Sequence, residues 1–417
     1  MDIENLAKKA YEASFEIASL PTERKNKLIL TIAALLEEHK AEIFSINEKD
    51  VANARSNGLS EAMVDRLKFN DARFQEMVDG VKKVADLPDP IGAKFDGKTV
   101  ESSLAIIKKR VPLGVVGVIY ESRPNVTIDI ASLCLKSGNA CILRGGSEAF
   151  NTNLCLVKLL NKALFINKIN PDAVAFIEST DRNCILQMLK QDAYIDVIIP
   201  RGGEALHKMC VQNSSIPVIV GGFGISHIFV DSSADLEKAV KVIINSKVQK
   251  PSACNALDTL LVHEDVIEPL LKTLLPELLK FKVEVHAHGK AYALCKDYSY
   301  LHEGKAEDFD REWLALAMNI AVVHDVKDAV LHLRKHRASH SDAILTDSWG
   351  NAEVFCNGAG SACVYINAAT RFTDGGQFGM GAEVAISTQK LHVRGPMGIN
   401  DLTTYQYICN GDYLCRK

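Results

Sequence analysis

The chain has 417 residues, of which 47% are hydrophobic, 24% charged and 6% aromatic, a composition typical of globular proteins that excludes disordered and collagen-like classes. Its 48 basic and 52 acidic side chains give a formal net charge of −4 and are spread along the chain, so no basic face favours nucleic acid or an acidic membrane. We therefore expect a small-molecule substrate or a protein partner.

The sequence shows no sign of a membrane or secretory segment. No run approaches the roughly 18 uninterrupted apolar residues of a membrane helix. The first residues, MDIENLAKKAYEAS, lack the basic-then-apolar order of a signal peptide, so we expect a cytoplasmic protein. The eleven cysteines have no CxxC spacing, which favours reduced thiols over a disulfide framework.

The first ~85 residues are predicted to be helical, because apolar residues recur at helical spacing. Thr22 is the expected cap of one helix, and Ser60 is the expected cap of SEAMVDRL. The segment Leu87 to Gly97 holds two Pro and two Gly and predicts a loop. The following TVESSLAIIKKRVPLGVVGVIYE predicts two strands, of which the second is buried on both faces.

Strands and helices then alternate in the predicted order. ACILRG precedes NTNLCLVKLLNKAL, and SHIFVD precedes ADLEKAVKVIINS. Such alternation is typical of a parallel sheet with helices on both faces. A second series follows Cys254, so the sequence predicts two α/β units with a border near Gly221 to Ser226.

Cys254 lies in KVQKPSACNALDTLLV, between a predicted helix that begins near Asp235 and a predicted buried strand. A thiol in such a loop can be ionised by backbone N–H groups and exposed to substrate, as a nucleophile must be. The alternative is a core cysteine like the other ten. A cysteine hydrolase would also need a histidine that activates Cys254, and His207, His227 and His340 are the candidates.

Three glycine-rich segments favour ligand binding. ILRGGSEAF and IIPRGGEAL place glycines between a strand and a helix, where backbone N–H groups and the charges of Arg144 and Arg201 suit a phosphate. The segment TRFTDGGQFGMGAE brings Arg371, which suits a carboxylate. The alternatives are glycines that serve sterics alone and a solvent loop.

A metal site is not predicted. His286, His288, Cys295 and His302 are metal-ligating residue types, but their spacing matches no standard site, and His286 and His288 alternate as in a strand.

Several motifs occur in the order found in the aldehyde dehydrogenase superfamily, which the chain resembles over nearly its full length. They are PLGVVGVI, SGNACILRGGSE, IIPRGGEAL, GGFGISHIFVDSSADLEKAV, the Cys254 loop, REWLALAMNIAVV and GQFGMGAE. The resemblance implies an aldehyde-dehydrogenase-like α/β fold. Residues 1–97 and 114–223 would form a Rossmann-like NADP-binding domain, 224–380 the catalytic domain, and 98–113 with 385–417 a small β oligomerisation arm.

Other segments resemble one branch of that superfamily. They are ESRPNVTIDIASLCLKSGNA, KPSACNALDTLLVH, HLRKHRASHSDAILT and LHVRGPMGI. The branch reduces L-glutamate 5-phosphate to L-glutamate 5-semialdehyde in proline biosynthesis, using NADPH and a cysteine thioester and releasing phosphate. The resemblance implies the same reaction here.

The resemblance also implies roles for particular residues. Cys254 stands at the nucleophile, Glu312 at the contact with the nicotinamide ribose, and Arg371 at the substrate carboxylate. Asn125 is similar to the oxyanion-stabilising Asn, although an ungapped alignment places Arg123 there, so both stay candidates. The predicted cofactor contacts are Arg144, Gly145, Gly146 and Ser147 at the adenosine ribose, and Gly202, Gly203 and Glu204 at the pyrophosphate. Arg144 is also the candidate for the 2′-phosphate of NADPH.

One departure from the superfamily pattern favours a reductase. Members that make free acids carry a Glu, which activates water, just before paired glycines, whereas this chain has Ile219 and Val220 before Gly221 and Gly222. Without that base, an acyl-enzyme persists until hydride arrives. The alternatives are a hydrolytic dehydrogenase of the same superfamily and a cysteine hydrolase or acyltransferase that binds no nucleotide.

Assembly is predicted from two β-rich pieces, TVESSLAIIKKRV and ISTQKLHVRG. They match the superfamily's arm and would leave unpaired strand edges in a monomer, so we expect a homodimer or homotetramer. Because an acyl phosphate is labile, a contact with glutamate 5-kinase would be useful, and we consider it as a hypothesis.

Overall fold

The computed structural model describes residues 1–221 and 224–416, which divide into two compact units. Unit 1 comprises the described residues of Met1–Gly221, Gly379–Ala385 and Met397–Lys417, and unit 2 those of Gly222–Phe378 and Ile386–Pro396. The predicted border includes positions 222 and 223, which lie outside the described residues. The three-part domain division drawn from the sequence stays a prediction.

Helices and strands follow one another along most of the chain. The helices are α1 (Ile3–Ser19), α2 (Thr22–Glu38), α3 (Lys40–Ser56), α4 (Glu61–Leu67), α5 (Asp71–Asp86), α6 (Asn125–Lys136), α7 (Phe150–Ile166), α8 (Asn183–Met188), α9 (Glu204–Asn213), α10 (Leu236–Val248), α11 (Ile267–Lys280), α12 (Lys290–Leu294), α13 (Val326–Lys335) and α14 (Trp349–Gly358). The strands are β1 (Lys94–Thr99), β2 (Ala105–Pro112), β3 (Val115–Tyr120), β4 (Ala140–Arg144), β5 (Val174–Phe176), β6 (Val197–Arg201), β7 (Ser226–Val230), β8 (Leu257–His263), β9 (Glu284–Ala287), β10 (Leu301–Glu303), β11 (Ala317–Val323), β12 (Ser341–Leu345), β13 (Cys363–Ile366), β14 (Ile386–Ser387), β15 (Gly395–Pro396) and β16 (Thr403–Asn410).

The amino-terminal helices begin close to the predicted caps. Ser60 caps α4 as predicted, and its hydroxyl accepts a hydrogen bond from the Met63 N–H at 3.4 Å. The prediction for Thr22 is wrong by one residue, because Pro21 is the cap and Thr22 is the first residue of α2. The Thr22 hydroxyl instead donates to the Asp89 carboxylate at 2.9 Å, a partner that is distant in the sequence. Among the described residues, no helix combines the length and the apolarity that a membrane span requires.

The parallel sheet of unit 1 has the order β5-β4-β3-β6, with every pairing parallel. All six residues of β3 are buried, as the run of Val and Ile predicts. Successive strands extend the sheet from β3 to β5, and β6 then returns to the other side of β3. Ligands of open α/β sheets bind outside the carboxyl ends of the strands at such a reversal, here where β3 and β6 end.

A second, antiparallel sheet in unit 1 has the order β1-β2-β16. The loop predicted from Leu87 to Gly97 ends earlier in the structure, because β1 already begins at Lys94. The partner strand β2 and the aromatic packing of Phe95 on Tyr405, whose ring centroids lie 5.8 Å apart, stabilise extended backbone there. Both are contacts that the local Pro and Gly content does not show.

The second β-rich piece of the predicted arm does not join this antiparallel sheet. In the segment ISTQKLHVRG, Ile386 and Ser387 pair with Pro396 and Gly395 as β14 and β15. The place beside β2 belongs to β16, whose Thr403 pairs with Pro112 and whose Asn410 pairs with Ala105. Composition favours a strand in either segment, but the choice of partner depends on long-range register.

Unit 2 contains a seven-stranded sheet with the order β10-β9-β11-β8-β7-β12-β13, and its pairings are all parallel. The predicted α/β architecture is thus confirmed in both units. The helix expected near Asp235 begins at Leu236, with the Asp235 side chain as cap to the Lys238 N–H at 3.1 Å. This helix, α10, leads directly to the Cys254 loop.

Candidate active site

Cys254 lies in the loop between α10 and β8 of unit 2, as predicted. The loop is held by hydrogen bonds from the Ala253 N–H to the Lys250 carbonyl at 3.1 Å and from the Ala256 N–H to the Ala253 carbonyl at 3.0 Å. The Cys254 carbonyl accepts a bond from the Ser226 hydroxyl at 3.4 Å. Cys254 is half-buried and forms no disulfide, whereas most of the other cysteines are buried. Cys254 is therefore a free thiol on a residue that is partly exposed to solvent.

Arg371 is brought next to this loop by Asn255. The buried Asn255 amide donates to the Thr373 carbonyl at 2.8 Å, and the Thr370 hydroxyl donates to the Asn255 carbonyl at 2.7 Å. The Arg371 Nε donates to Gln249 Oε1 at 2.9 Å. Two segments distant in the sequence are thus joined, with a guanidinium beside the nucleophile candidate.

The Arg371 guanidinium interacts electrostatically with an ionised Cys254. Burial lowers the pKa of Arg371, and the negative charge of an ionised Cys254 acts against the shift. A cation at this position stabilises a thiolate and attracts an anionic substrate.

A buried carboxyl group lies on β8, the strand that follows the Cys254 loop. Asp258, on β8, accepts hydrogen bonds from the Trp313 N–H at 3.0 Å and from the Ser226 N–H at 3.2 Å. Burial raises the pKa of Asp258 to about 6, with Lys247 acting in the opposite direction. Glu312, the predicted ribose contact, is half-buried and directly precedes Trp313. Asp258 therefore links the strand after Cys254 to the segment that carries Glu312.

Lys247 completes this buried arrangement near the end of α10. Its ammonium donates to the Leu257 carbonyl at 2.7 Å, and burial lowers its pKa to about 8. Sequence reasoning missed Lys247, Asn255 and Asp258. A signal was present for two of them, since the polar Asn255 and Asp258 lie beside Cys254 at the start of a buried strand.

The turn after β4 in unit 1 holds the predicted ribose contacts. Arg144 is 7% exposed, and its guanidinium donates to the Gly145 carbonyl at 2.9 Å and to the Thr180 carbonyl at 3.2 Å. A Cβ at Gly145 would collide with the side-chain amide of Asn153, so glycine is required for this close approach. Gly146 and Ser147 continue the turn into α7 through one 3₁₀ turn.

The predicted pyrophosphate contacts lie at the start of α9. Gly203 is the cap residue and provides no side-chain cap. Its N–H donates to the Glu121 carboxylate at 3.0 Å, and a Cβ at Gly202 would collide with the same carboxylate. The Glu204 carboxylate pairs with Lys208 at 2.7 Å. The helix terminus thus binds an anionic group of the protein, in the place where the sequence predicts a phosphate. Sequence reasoning missed Glu121.

Both oxyanion candidates belong to unit 1. Asn125 is the first residue of α6, and its amide donates to the Asp129 carboxylate at 2.8 Å. Burial raises the pKa of Asp129 to about 6. Arg123 is exposed, just before the helix. The choice between the two stays a prediction.

The position of the missing water-activating Glu is apolar in the structure as well. Ile219 is buried, and its N–H donates to the Ile198 carbonyl at 2.9 Å, so this stretch extends the sheet next to β6. The Gly221 N–H donates to His207 Nδ1 at 3.2 Å, and burial lowers the pKa of His207 to about 4. His207 therefore stays neutral and can accept that bond. Gly222 lies outside the described residues.

The remaining histidine candidates have other polar contacts. His227 Nδ1 lies 3.0 Å from the Asp342 carboxylate, and both residues are fully buried. His340 Nδ1 lies 2.8 Å from the Ser341 hydroxyl, and burial lowers the pKa of His340 to about 4. These contacts show His227 and His340 as parts of the core of unit 2.

Comparisons with known proteins assign the family. The aldehyde dehydrogenase family model matches residues 1–291. The chain is 54% identical over 417 residues to gamma-glutamyl phosphate reductase of Vibrio cholerae, with all of both chains covered. The crystal structure of gamma-glutamyl phosphate reductase from Thermotoga maritima superposes with a TM-score of 0.96 at 44% identity, again over 100% of each chain.

A more distant structure agrees in fold. An engineered glycolyl-CoA reductase with bound NADP⁺ matches with a TM-score of 0.67 at 14% identity, covering 97% of this chain and 96% of that chain. At such identity the likeness is one of fold alone. From the family model and the relatives that match over their full length, the chain belongs to the aldehyde dehydrogenase family and, within it, to the gamma-glutamyl phosphate reductases.

Proposed function

We propose that this chain is a cytoplasmic enzyme of proline biosynthesis that reduces gamma-glutamyl phosphate to glutamate 5-semialdehyde with NADPH, through a thioester on Cys254. The observation that carries the proposal is the Cys254 loop, which presents a half-buried thiol beside Arg371 and is joined to the Arg371 segment by Asn255. Family membership supplies the reaction class.

The first step is acyl transfer to sulfur. The Cys254 thiolate attacks the γ-carbonyl carbon, the S–C bond forms, and the C–O bond to phosphate breaks with release of inorganic phosphate. Arg371 stabilises the thiolate and binds the α-carboxylate of the substrate. Backbone N–H groups of the loop stabilise the oxyanion of the tetrahedral intermediate, and a contribution of Asn125 or Arg123 stays a prediction.

The residues of unit 1 fit a nicotinamide dinucleotide. The Gly203 N–H already holds the Glu121 carboxylate, so the start of α9 accepts an anionic oxygen such as that of a pyrophosphate. Gly145 and Gly146 would provide the tight turn for the adenosine ribose, and the contact of Glu312 with the nicotinamide ribose stays a prediction. Bound NADPH would supply the hydride for the thioester carbonyl, and collapse of the resulting adduct on Cys254 would release the aldehyde and the thiolate.

The preference for NADPH over NADH rests on the resemblance to the family. Arg144 donates to two carbonyls of its own unit, so we propose that it fixes the turn after β4 and adds positive charge there. A contact of this residue with the 2′-phosphate stays a prediction, as does a contact of the enzyme with glutamate 5-kinase.

The acyl-enzyme is not hydrolysed because a base is missing where hydrolytic relatives carry one. A carboxylate at position 219 would have to be buried in place of the Ile219 side chain, which is 4% exposed, at a large desolvation cost. This favours the reductase over the hydrolytic dehydrogenase.

We also propose a homodimer or homotetramer. β16 is an edge strand of the antiparallel sheet and carries exposed apolar side chains: Tyr405, Tyr407 and Ile408. Unpaired edges of this kind favour association with a second chain. Sedimentation that shows only the 45.7 kDa chain at micromolar concentration would reject this assembly.

The experiment that tests the function is the reverse reaction with glutamate semialdehyde, phosphate and either NADP⁺ or NAD⁺. We expect reduction of NADP⁺ that requires phosphate, because phosphate must release the thioester. Cys254→Ser abolishes this activity, whereas the matched control Cys356→Ser, at another half-buried cysteine of unit 2, retains it. Activity without phosphate indicates the hydrolytic dehydrogenase. Failure of NADPH to raise the melting temperature indicates a cysteine hydrolase or acyltransferase.

A further inference from the structure

We propose that Glu284, His286 and His302 form a binding site for one divalent transition-metal ion at the edge of the sheet in unit 2. One ligand atom from each side chain lies within 4.8 Å of the other two. The three residues lie on β9 and β10, the two strands at one end of the sheet. None of them takes part in the proposed reduction.

Strand register fixes the two histidines side by side. His302 pairs with His286 in the parallel ladder of β9 and β10, and their rings stack with centroids 4.8 Å apart. Glu284 lies two residues before His286 on the same strand, so both side chains point to the same face of the sheet. The backbone therefore preorganises the three ligand atoms.

Asp308 and Trp313 support the central ligand. The Asp308 carboxylate lies 3.4 Å from His286 Nδ1 and is itself held by the Lys305 N–H at 2.9 Å. The Trp313 ring packs against the His286 ring with centroids 4.2 Å apart. Metal-ligating histidines usually carry a carboxylate on one ring nitrogen, which orients the ring and leaves the other nitrogen for the metal. The Asp308 contact at Nδ1 gives His286 such support, and Nε2 would then be the nitrogen that binds the metal.

The chemical types of the three ligands indicate which metal ions the site would prefer. Two imidazoles and one carboxylate suit Zn²⁺, Co²⁺ or Ni²⁺, whereas Mg²⁺ and Ca²⁺ prefer oxygen ligands alone. Three protein ligands leave one tetrahedral position for water. Bound metal would join β9 to β10 and, through Asp308, to the segment that leads to Glu312.

The proposed metal ligands differ from the four residues considered in the sequence analysis, because His288 and Cys295 are not among them. His288 Nε2 lies 3.2 Å from the side-chain Oδ1 of Asn319, and Cys295 is fully buried in the core. Glu284 takes their place. The sequence spacing between Glu284 and His302 gives no sign of this site, because it arises from the pairing of two strands.

The test uses the full chain in a Cys409→Ser, Cys415→Ser background, which removes exposed thiols. After treatment with a chelator, the protein is titrated with Zn²⁺ by calorimetry and with Co²⁺ by visible absorption. We expect one ion per chain, Co²⁺ bands without thiolate charge transfer, and a higher melting temperature with Zn²⁺. His302→Ala should abolish this stoichiometric binding, and Asp308→Asn should weaken it roughly 10- to 100-fold.

His39→Ala is the matched control, because His39 also lies beside a carboxylate, 2.9 Å from Glu42, and should leave binding unchanged. Three results would overturn the proposal: no binding of either ion by the parent protein, full binding by a correctly folded His302→Ala variant, or Co²⁺ bands with thiolate charge transfer. Circular dichroism shows whether each variant folds. The reverse reduction assay is independent of this test, so failure here leaves the proposed function untouched.

Discussion

Replacing Asn255 by Ala tests whether the Cys254 loop and the Arg371 segment act as one structure. The Asn255 amide donates to the Thr373 carbonyl at 2.8 Å and to the Arg371 carbonyl at 3.4 Å. Asn255 is 3% exposed and Thr373 is fully buried, so the Thr373 carbonyl would lose its partner without gaining water. An unsatisfied buried acceptor costs about 1–3 kcal/mol, and the longer bond adds little.

That cost predicts both a thermal and a kinetic change. For a unit of this size, each kcal/mol lowers the melting temperature by about 2–4 °C, so we expect a decrease of roughly 2–12 °C. Because the Arg371 segment loses its two hydrogen bonds from the Asn255 side chain, Arg371 should be held less firmly and KM for glutamate semialdehyde in the reverse assay should rise, while KM for NADP⁺ stays constant. Differential scanning calorimetry and initial rates measure the two effects.

The matched control is Asn351→Ala. The Asn351 amide donates to the Asp231 carboxylate at 2.9 Å, in the same unit and in no contact used by the proposed reaction. It should lower the melting temperature and leave both KM values unchanged. An Asn255→Ala variant with a lower melting temperature and an unchanged KM for glutamate semialdehyde would refute the argument, since the link would then be structural only.

Three further changes test other parts of the site. Arg371→Ala should raise KM for glutamate semialdehyde roughly 10- to 100-fold, as expected for a charged hydrogen bond, and equal effects on NADP⁺ would contradict its assignment to the carboxylate. Glu121→Gln should tighten NADPH binding about two- to five-fold in a fluorescence titration, because a neutral amide competes less strongly than the Glu121 carboxylate for the Gly203 N–H. Weaker binding by this variant would argue against a phosphate at the start of α9. Between pH 6.5 and 4, the unfolded chain binds a proton at His340 that the folded chain, with a pKa near 4, does not. The free energy of unfolding should therefore fall on acidification by up to about 1.4 kcal/mol per pH unit, and His340→Gln should lack that contribution; an identical slope in the variant would exclude it.

Sequence patterns predicted the fold well where the physical cause is local. Buried runs such as that of β3 and helix caps such as Ser60 depend on neighbouring residues, and both are present in the structure. The errors have long-range causes. Thr22 bonds to Asp89, and β1, which begins where a loop was predicted, pairs with β2.

In the candidate site, too, features with local causes were predictable and features with long-range causes were not. The loop that carries Cys254 follows from its small residues and from the strand after it, so its place was predictable. Its proximity to Arg371 depends on long-range hydrogen bonds, those of the Asn255 amide among them, and no periodicity encodes such contacts. The glycine turn before α9 predicted an anion site, but the carboxylate found there, Glu121, comes from the end of another strand.

In the proposed mechanism, the choice between reduction and hydrolysis of the thioester depends on position 219 more than on the nucleophile. A thiol ester is attacked by water or by hydride, and an enzyme favours hydride if no group removes a proton from water. In this chain the position is a buried Ile whose backbone belongs to the sheet of unit 1. Because the apolar side chain fills space that a solvated carboxylate would need, the packing of the unit itself disfavours a base there. We therefore propose that this side chain next to β6 favours reduction over hydrolysis, on a fold that is compatible with either reaction.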